Sequence, residues 1–218
     1  MGWTGDDSGG GKRGYHHGNL REALVRAALD LIREKGPFGF TFADAARSAG
    51  VSSAAPYRHF RDRDALVADV ARRGFELFAA ALDRAWNNGK PDPFRGLDAI
   101  GRAYLTFARD QPAYYSAMFE AGVPLDQDLE LRDAADRAIV PLRKAVEVLC
   151  AQLPPATRPP VGMMSLHIWS LAHGIASLFA RGDAGRRKLP MTPEDLLEAA
   201  VLIYLQGLGF RGGLAKGG

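Results

Sequence analysis

Apolar residues recur at three- and four-residue spacing through most of this chain, a pattern that predicts helices. Leu20, Leu24, Ala27, Ala28, Leu31 and Ile32 form one stripe over residues 19–35. Asn19 stands at the N-cap, Glu22 completes a capping box, and Gly36-Pro37 ends the segment. Asp62 opens a longer helix, from Arg63 to about Trp86, with Leu66, Val70, Phe75, Leu77, Phe78, Ala81 and Leu82 at its apolar positions. Residues 87–93 (Asn-Asn-Gly-Lys-Pro-Asp-Pro) read as a linker. Further helices are predicted over 93–109, 112–121, 126–153, 161–180 and 193–208, with Pro141 a kink or boundary inside the third of these. The segment 161–180 is apolar nearly all round, and a basic loop, 181–193, follows it. No stretch alternates with the two-residue period of a strand, and no repeat is evident. The expected class is all-α.

Residues 40–60 break this regularity. Two short helices are predicted there, joined by a tight turn. Thr41 caps the first, with Asp44 as its capping-box partner, and Gly50 stops it in the left-handed conformation a helix end favours. Val51 is a buried pivot, and Ser52 or Ser53 caps the second helix. Pro56 is tolerated only in a first turn, so a cap at Ser53 puts it at the third helical position and leaves a helix that ends near Phe60. The outer face then carries Ser53, Ala54, Tyr57, Arg58 and His59: small residues, hydrogen bonders and a cation, which suit a DNA major groove.

Charge supports that reading. The net charge over 218 residues is +3. Residues 1–73 hold 12 Lys+Arg and 9 Asp+Glu, and the remainder holds 16 of each, so the whole excess lies beside the short helices. Residues 1–11 read as an unstructured tail without the apolar core of a secretory signal. Residues 12–18 form a basic, aromatic arm that either touches phosphate or minor groove or is only a flexible leader. The single cysteine, Cys150, excludes an internal disulfide framework and fits a reducing cytoplasm. The stretch 163–180 contains Ser165, His167, Ser170, His173 and Ser177, which favours a buried protein helix over a membrane span. His16-His17 has no partner ligands nearby, and no metal or other cofactor is expected.

The run Gly50-Val51-Ser52, followed by Tyr57-Arg58-His59-Phe60 and Arg63-Asp64-Ala65-Leu66, strongly resembles the head of TetR-type transcriptional repressors. The resemblance covers residues 15–36 and 41–66. Trp169, His173 and Gly174 are similar to the Trp-His-Gly signature of one C-terminal subgroup of that family. The resemblance implies an all-helical homodimer of about nine helices per chain, bacterial and cytoplasmic, that represses from a palindromic operator and leaves it when a small hydrophobic or aromatic molecule binds. It divides the chain into an arm (1–18), a helix-turn-helix head (19–66), a connecting helix and linker (67–92) and a ligand-binding and dimerisation body (93–210). DNA contacts would come from Thr41, Ser52, Ser53, Ala54, Tyr57, Arg58 and His59, with Arg63 on phosphate. Two departures stand out: Pro56 where many relatives carry an aliphatic residue, and Arg63 where they carry lysine.

Such a body needs a dimer interface, expected from the last two helices, with Leu166, Trp169, Leu178, Leu197, Val201, Tyr204 and Leu208 as candidates; these residues could equally form the monomer core. It also needs a cavity. Tyr104, Phe107, Tyr114, Tyr115, Met118, Phe119, Met163, His167 and His173 combine apolar bulk with polar tips, as effector pockets do and as a plain aromatic core does. Two alternatives remain open: a constitutive DNA-binding regulator without an effector, and a helical enzyme. The second lacks a nucleophile elbow, a His-Glu-x-x-His motif or a Gly-rich phosphate loop, so the expectation is no enzyme activity.

Overall fold

The computed structural model describes residues 20–180 and 190–210. The arm at 12–18, the cap at Asn19, the His16-His17 pair and most of the basic loop after residue 180 lie outside the described residues. Within them are eight α-helices and no strand. The head comprises α1 (Leu20–Lys35), α2 (Phe42–Ser48) and a single 3-10 turn, Ala55–Arg58. A long helix follows, α3 (Arg63–Trp86), then α4 (Pro93–Asp110), α5 (Pro112–Phe119), α6 (Leu129–Cys150), α7 (Val161–Ala180) and α8 (Pro193–Gly207). No helix among the described residues is long and apolar enough to cross a membrane.

The capping chemistry sets most of these boundaries. Asp62, Asp92 and Asp128 each accept backbone N–H groups of the first turn of α3, α4 and α6. Thr192 and Asp195 form a capping box at α8. The run 87–93 is less a loose linker than a tight reversal. Asn87, Asn88 and Gly89 all adopt positive φ, and the buried Trp86 ring closes over Gly89 and Gly96. Pro141 does not divide α6; it is buried inside a continuous helix.

α3 is the spine. Phe78, Leu82, Leu66, Val67 and Val70 are its fully buried side chains, and it packs against α1 on one side and α4, α5 and α6 on the others. Leu77, expected in the stripe, points outward. One apolar cluster runs without a break from Leu24 in α1 to Phe210 after α8.

Between α1 and α3 sits a charged knot. Asp69, 5% exposed, accepts hydrogen bonds from Arg21 of α1 (2.7 Å), Arg72 (2.9 Å) and Arg73 (2.8 Å). Arg73 also grips Glu22 of α1 through two nitrogens. Burial alone would raise the Asp69 carboxyl. Hydrogen bonds from Arg21 and Arg72, with the charge of Arg73 beside them, outweigh it and hold the pKa below the usual carboxylate range.

Candidate nucleic-acid interface and effector pocket

The head is built from short-range rules. Thr41 Oγ1 accepts from the Asp44 backbone N–H at 3.1 Å, and an Asp44 carboxylate oxygen accepts from Thr41 N–H at 2.9 Å. Thr41's backbone and hydroxyl hydrogen bonds, with Arg47 behind them, hold the Asp44 carboxyl at about 2. Thr41 was expected at DNA, and its hydroxyl is already committed to this cap. Gly50 at φ 71° closes α2 in a Schellman motif, with Val51 N–H bonded to Ala46 O and Gly50 N–H to Arg47 O, both at 3.0 Å.

The second element differs from expectation. Neither Ser52 nor Ser53 caps an α-helix; the chain makes one 3-10 turn that starts from Ala54 without a side-chain cap. Two anchors hold it. Pro56 and Phe60 are both buried, four residues apart, and the Phe60 N–H donates to the Pro56 carbonyl oxygen at 3.0 Å. Tyr57, Arg58 and His59 are left facing solvent between the anchors, with Ser52, Ser53 and Ala54 exposed ahead of them. Tyr57 is 64% exposed, and its ring meets Phe42 of α2 edge-on at 5.0 Å, which fixes where its hydroxyl projects. Arg47 is exposed on α2, and Arg61 is exposed just beyond the turn.

Arg63, expected on phosphate, turns inward instead. Its Nε donates to the Phe40 carbonyl oxygen (3.1 Å) and its Nη1 to Asp64 (2.6 Å). Its guanidinium lies over the Phe40 ring at 4.9 Å and near Phe38 at 5.9 Å. Nη2 is buried without a hydrogen-bond partner.

In the body, the nine residues expected at a ligand separate into three groups. Tyr104, Phe107, Tyr115, Phe119 and His173 converge with Phe78 and Trp169 in an aromatic knot that joins α3, α4, α5 and α7. Its polar centre is His173 Nδ1, with the hydroxyls of Tyr104 at 2.9 Å and Tyr115 at 3.1 Å. Burial lowers the His173 pKa, opposed by the Glu120 carboxylate. Burial likewise raises the Tyr104 and Tyr115 hydroxyls. Tyr114 and Met118 pack elsewhere, on Gly74 of α3, where a Cβ would collide with the Met118 sulfur. Met163 and His167 face outward, and His167 Nδ1 pairs with the Tyr204 hydroxyl at 3.0 Å, tying α7 to α8.

The concave space lies between α4, α7 and α8. An inner cavity of about 40 Å³ is lined by Leu97, Gly101, Tyr104, Trp169, Leu197 and Val201, among others, with Asp98, Arg102 and Glu198 also on its wall. Next to it is a chamber of about 410 Å³, walled by Leu105, Ala108, Pro112, Ala176, Phe179 and Pro193 and carrying Arg109 and Glu194. Leu105 and Glu194 line both. Of the nine expected ligand residues, Tyr104 alone borders either space.

Three residues expected at a dimer interface therefore belong inside the chain. Leu197 is buried, Val201 lines the inner cavity, and Trp169 sits edge-on to Phe78 (5.8 Å) and Tyr104 (5.4 Å). The cause is that α8 packs on α4 as well as α7, so this face of α8 turns inward. Leu166 (57%) and Leu178 (62%) do stand exposed, and Tyr204 and Leu208 are half-buried. The outward strip also includes Met163 on α7 and Ile203 on α8, which sequence reasoning missed. Spacing was the available signal, since Met163, Leu166, Ser170, Gly174 and Leu178 share one helical face.

Two family models match the chain and cover more than half of it together: "Bacterial regulatory proteins, tetR family" over residues 24–70 and "Tetracyclin repressor-like, C-terminal domain" over residues 97–204. The chain belongs to the TetR family. It is accordingly a transcriptional regulator by family and not an enzyme, with the helix-turn-helix head and helical body of that fold. Similar solved structures include a protein of unknown function from Rhodococcus sp. RHA1, 28% identical, covering 90% of this chain and 98% of its own, with a TM-score of 0.72. The TetR family transcriptional regulator PfmR from Thermus thermophilus is 20% identical over 88% of this chain and 99% of its own, with a TM-score of 0.64. The fatty acid degradation regulator FadR from Bacillus halodurans is 14% identical over 89% and 98%, with a TM-score of 0.69. The last two likenesses are of fold alone. No curated protein matches the sequence.

Proposed function

We propose that this TetR-family chain is a cytoplasmic repressor that binds a palindromic operator as a homodimer and is released by a small apolar effector. The observation that carries the DNA-reading part is the exposed turn Ser52–His59, pinned at the buried Pro56 and Phe60 so that Tyr57, Arg58 and His59 project together. One such turn per subunit reads one half-site. The outward strip of Met163, Leu166, Leu178 and Ile203 supports pairing of two copies through α7 and α8. The chamber of about 410 Å³ supports an effector, being within the size range of small-molecule sites, whereas the inner cavity of about 40 Å³ has room for a few waters only. Trp169 and His173 in the knot, with Gly174 on the open face of α7, support the Trp-His-Gly subgroup.

Selection of bound DNA from a random library tests the reading. The expected product is a palindrome, and Tyr57→Ala or Arg58→Ala weakens binding to it by about 1–3 kcal/mol. Unchanged affinity in both variants removes this turn from the DNA interface. Enrichment of non-symmetric DNA removes the paired half-sites.

A further inference from the structure

Charge is distributed unevenly around the two adjoining spaces of the body. Their walls are apolar, yet three carboxylates that line them, Asp98, Glu194 and Glu198, share two guanidiniums. Arg102 donates to Asp98 and to Glu198, both at 2.8 Å. Arg109 donates to Asp110 at 2.9 Å and to Glu194 at 3.2 Å. Among the described residues that line them, the carboxylates exceed the guanidiniums by one negative charge. Glu194 is the group both spaces share, and it lies deeper than its partner: its side chain is 23% exposed against 60% for Arg109.

We propose that the chamber takes an apolar molecule with a cationic head, such as an alkylammonium, and that Glu194 selects the charge. This rests on the reading of the chamber as an effector site. The argument is one of exchange. An ammonium placed on Glu194 replaces the long bond from Arg109, which keeps Asp110 and swings into water, so no charge loses its partner. An anionic head needs the same guanidinium donors and leaves Glu194 or Glu198 unpaired beside a second negative charge. The N-terminus of α8 would ordinarily attract an anion. Here Asp195 N–H already donates to Thr192 Oγ1 at 3.0 Å, and the Glu194 and Asp195 carboxylates occupy the first turn.

The test is titration calorimetry of the full chain with decylammonium, decanol and decanoate, each below its micelle-forming concentration. The cation is expected to bind about tenfold more tightly than the alcohol, the worth of one charge-assisted contact, and decanoate more weakly than the alcohol. Glu194→Gln should shrink the cation-to-alcohol ratio to within about twofold, and Arg109→Gln, which frees Glu194, should enlarge it. Three ligands binding alike, decanoate binding best, or a ratio that survives Glu194→Gln overturns the proposal while leaving the chamber a binding site. Binding of none of the three overturns the chamber reading and the proposal with it.

Discussion

Two buried polar knots tie the helices of this protein together, and their chemistry is opposite. The knot at Asp69 is fully ionic: one carboxylate, three guanidiniums and Glu22 join the head helix α1 to the spine α3. The knot at His173 is neutral: two phenols and an imidazole join α4, α5 and α7 inside a cluster of rings. A buried ion pair is stiff, because separating its members strands a charge in a poor solvent. A neutral hydrogen bond among rings is easier to rearrange. The stiff knot lies where the head must keep its angle to the spine. The adjustable knot borders the inner cavity through Tyr104 and Trp169, next to the chamber proposed for the effector.

The contrast can be broken most severely at Asp69. Asp69→Ala should cost about 3 kcal/mol of stability in urea denaturation, the low end for a broken buried ion pair, since the three arginines keep some contact with water. A loss under about 1 kcal/mol would mean that the arginines regain full hydration and the knot is not stiff.

His173→Phe comes next, with an expected loss of about 1–2 kcal/mol as two buried phenols lose the imidazole they both meet. If this loss exceeds that of Asp69→Ala, the ranking of the knots is reversed.

The smallest effect is in pH, and it separates the knots without mutation. Burial holds the folded His173 pKa below the ordinary value of 6.5. Its stabilising contribution is therefore complete above 6.5 and is lost as pH falls through the folded value, because the unfolded chain protonates first. Asp69 has its carboxyl lowered from 3.8, so its contribution persists until the pH falls below the carboxylate range. Melting temperature should decline as pH drops from about 7 to about 5 in the parent chain and decline less in His173→Phe. Parallel curves would remove His173 as the source.

The ionic knot was not legible in the sequence, and of the aromatic one only the residues were, as a pocket or a plain core, and not their contacts. Arg21 and Asp69 are 48 residues apart, Glu22 and Arg73 are 51, and Tyr104 and His173 are 69, with no local pattern to link them. The head was far more legible. The Thr41–Asp44 capping box, the Gly50 stop and the Asp62 cap all lie within a few residues of what they satisfy. For the candidate pocket, sequence reasoning points to the right helices but to the wrong side chains. Aromatic residues on α4 and α5 mostly fill a knot, and the space opens beside aliphatic and charged residues of α4, α7 and α8.

By itself, the sequence determined the helical class, the order of the helices and the exposed group Tyr57, Arg58 and His59, because backbone capping and three- to four-residue apolar spacing are local effects. Only the tertiary structure decided which way α7 and α8 face. Both are apolar on more than one side, so a hydrophobic pattern cannot distinguish a side that meets α4 from one that meets solvent. It also decided that residues 55–58 form a single 3-10 turn. That turn is held by two buried anchors, Pro56 and Phe60, and burial against the rest of the head is not a property of the residues between them.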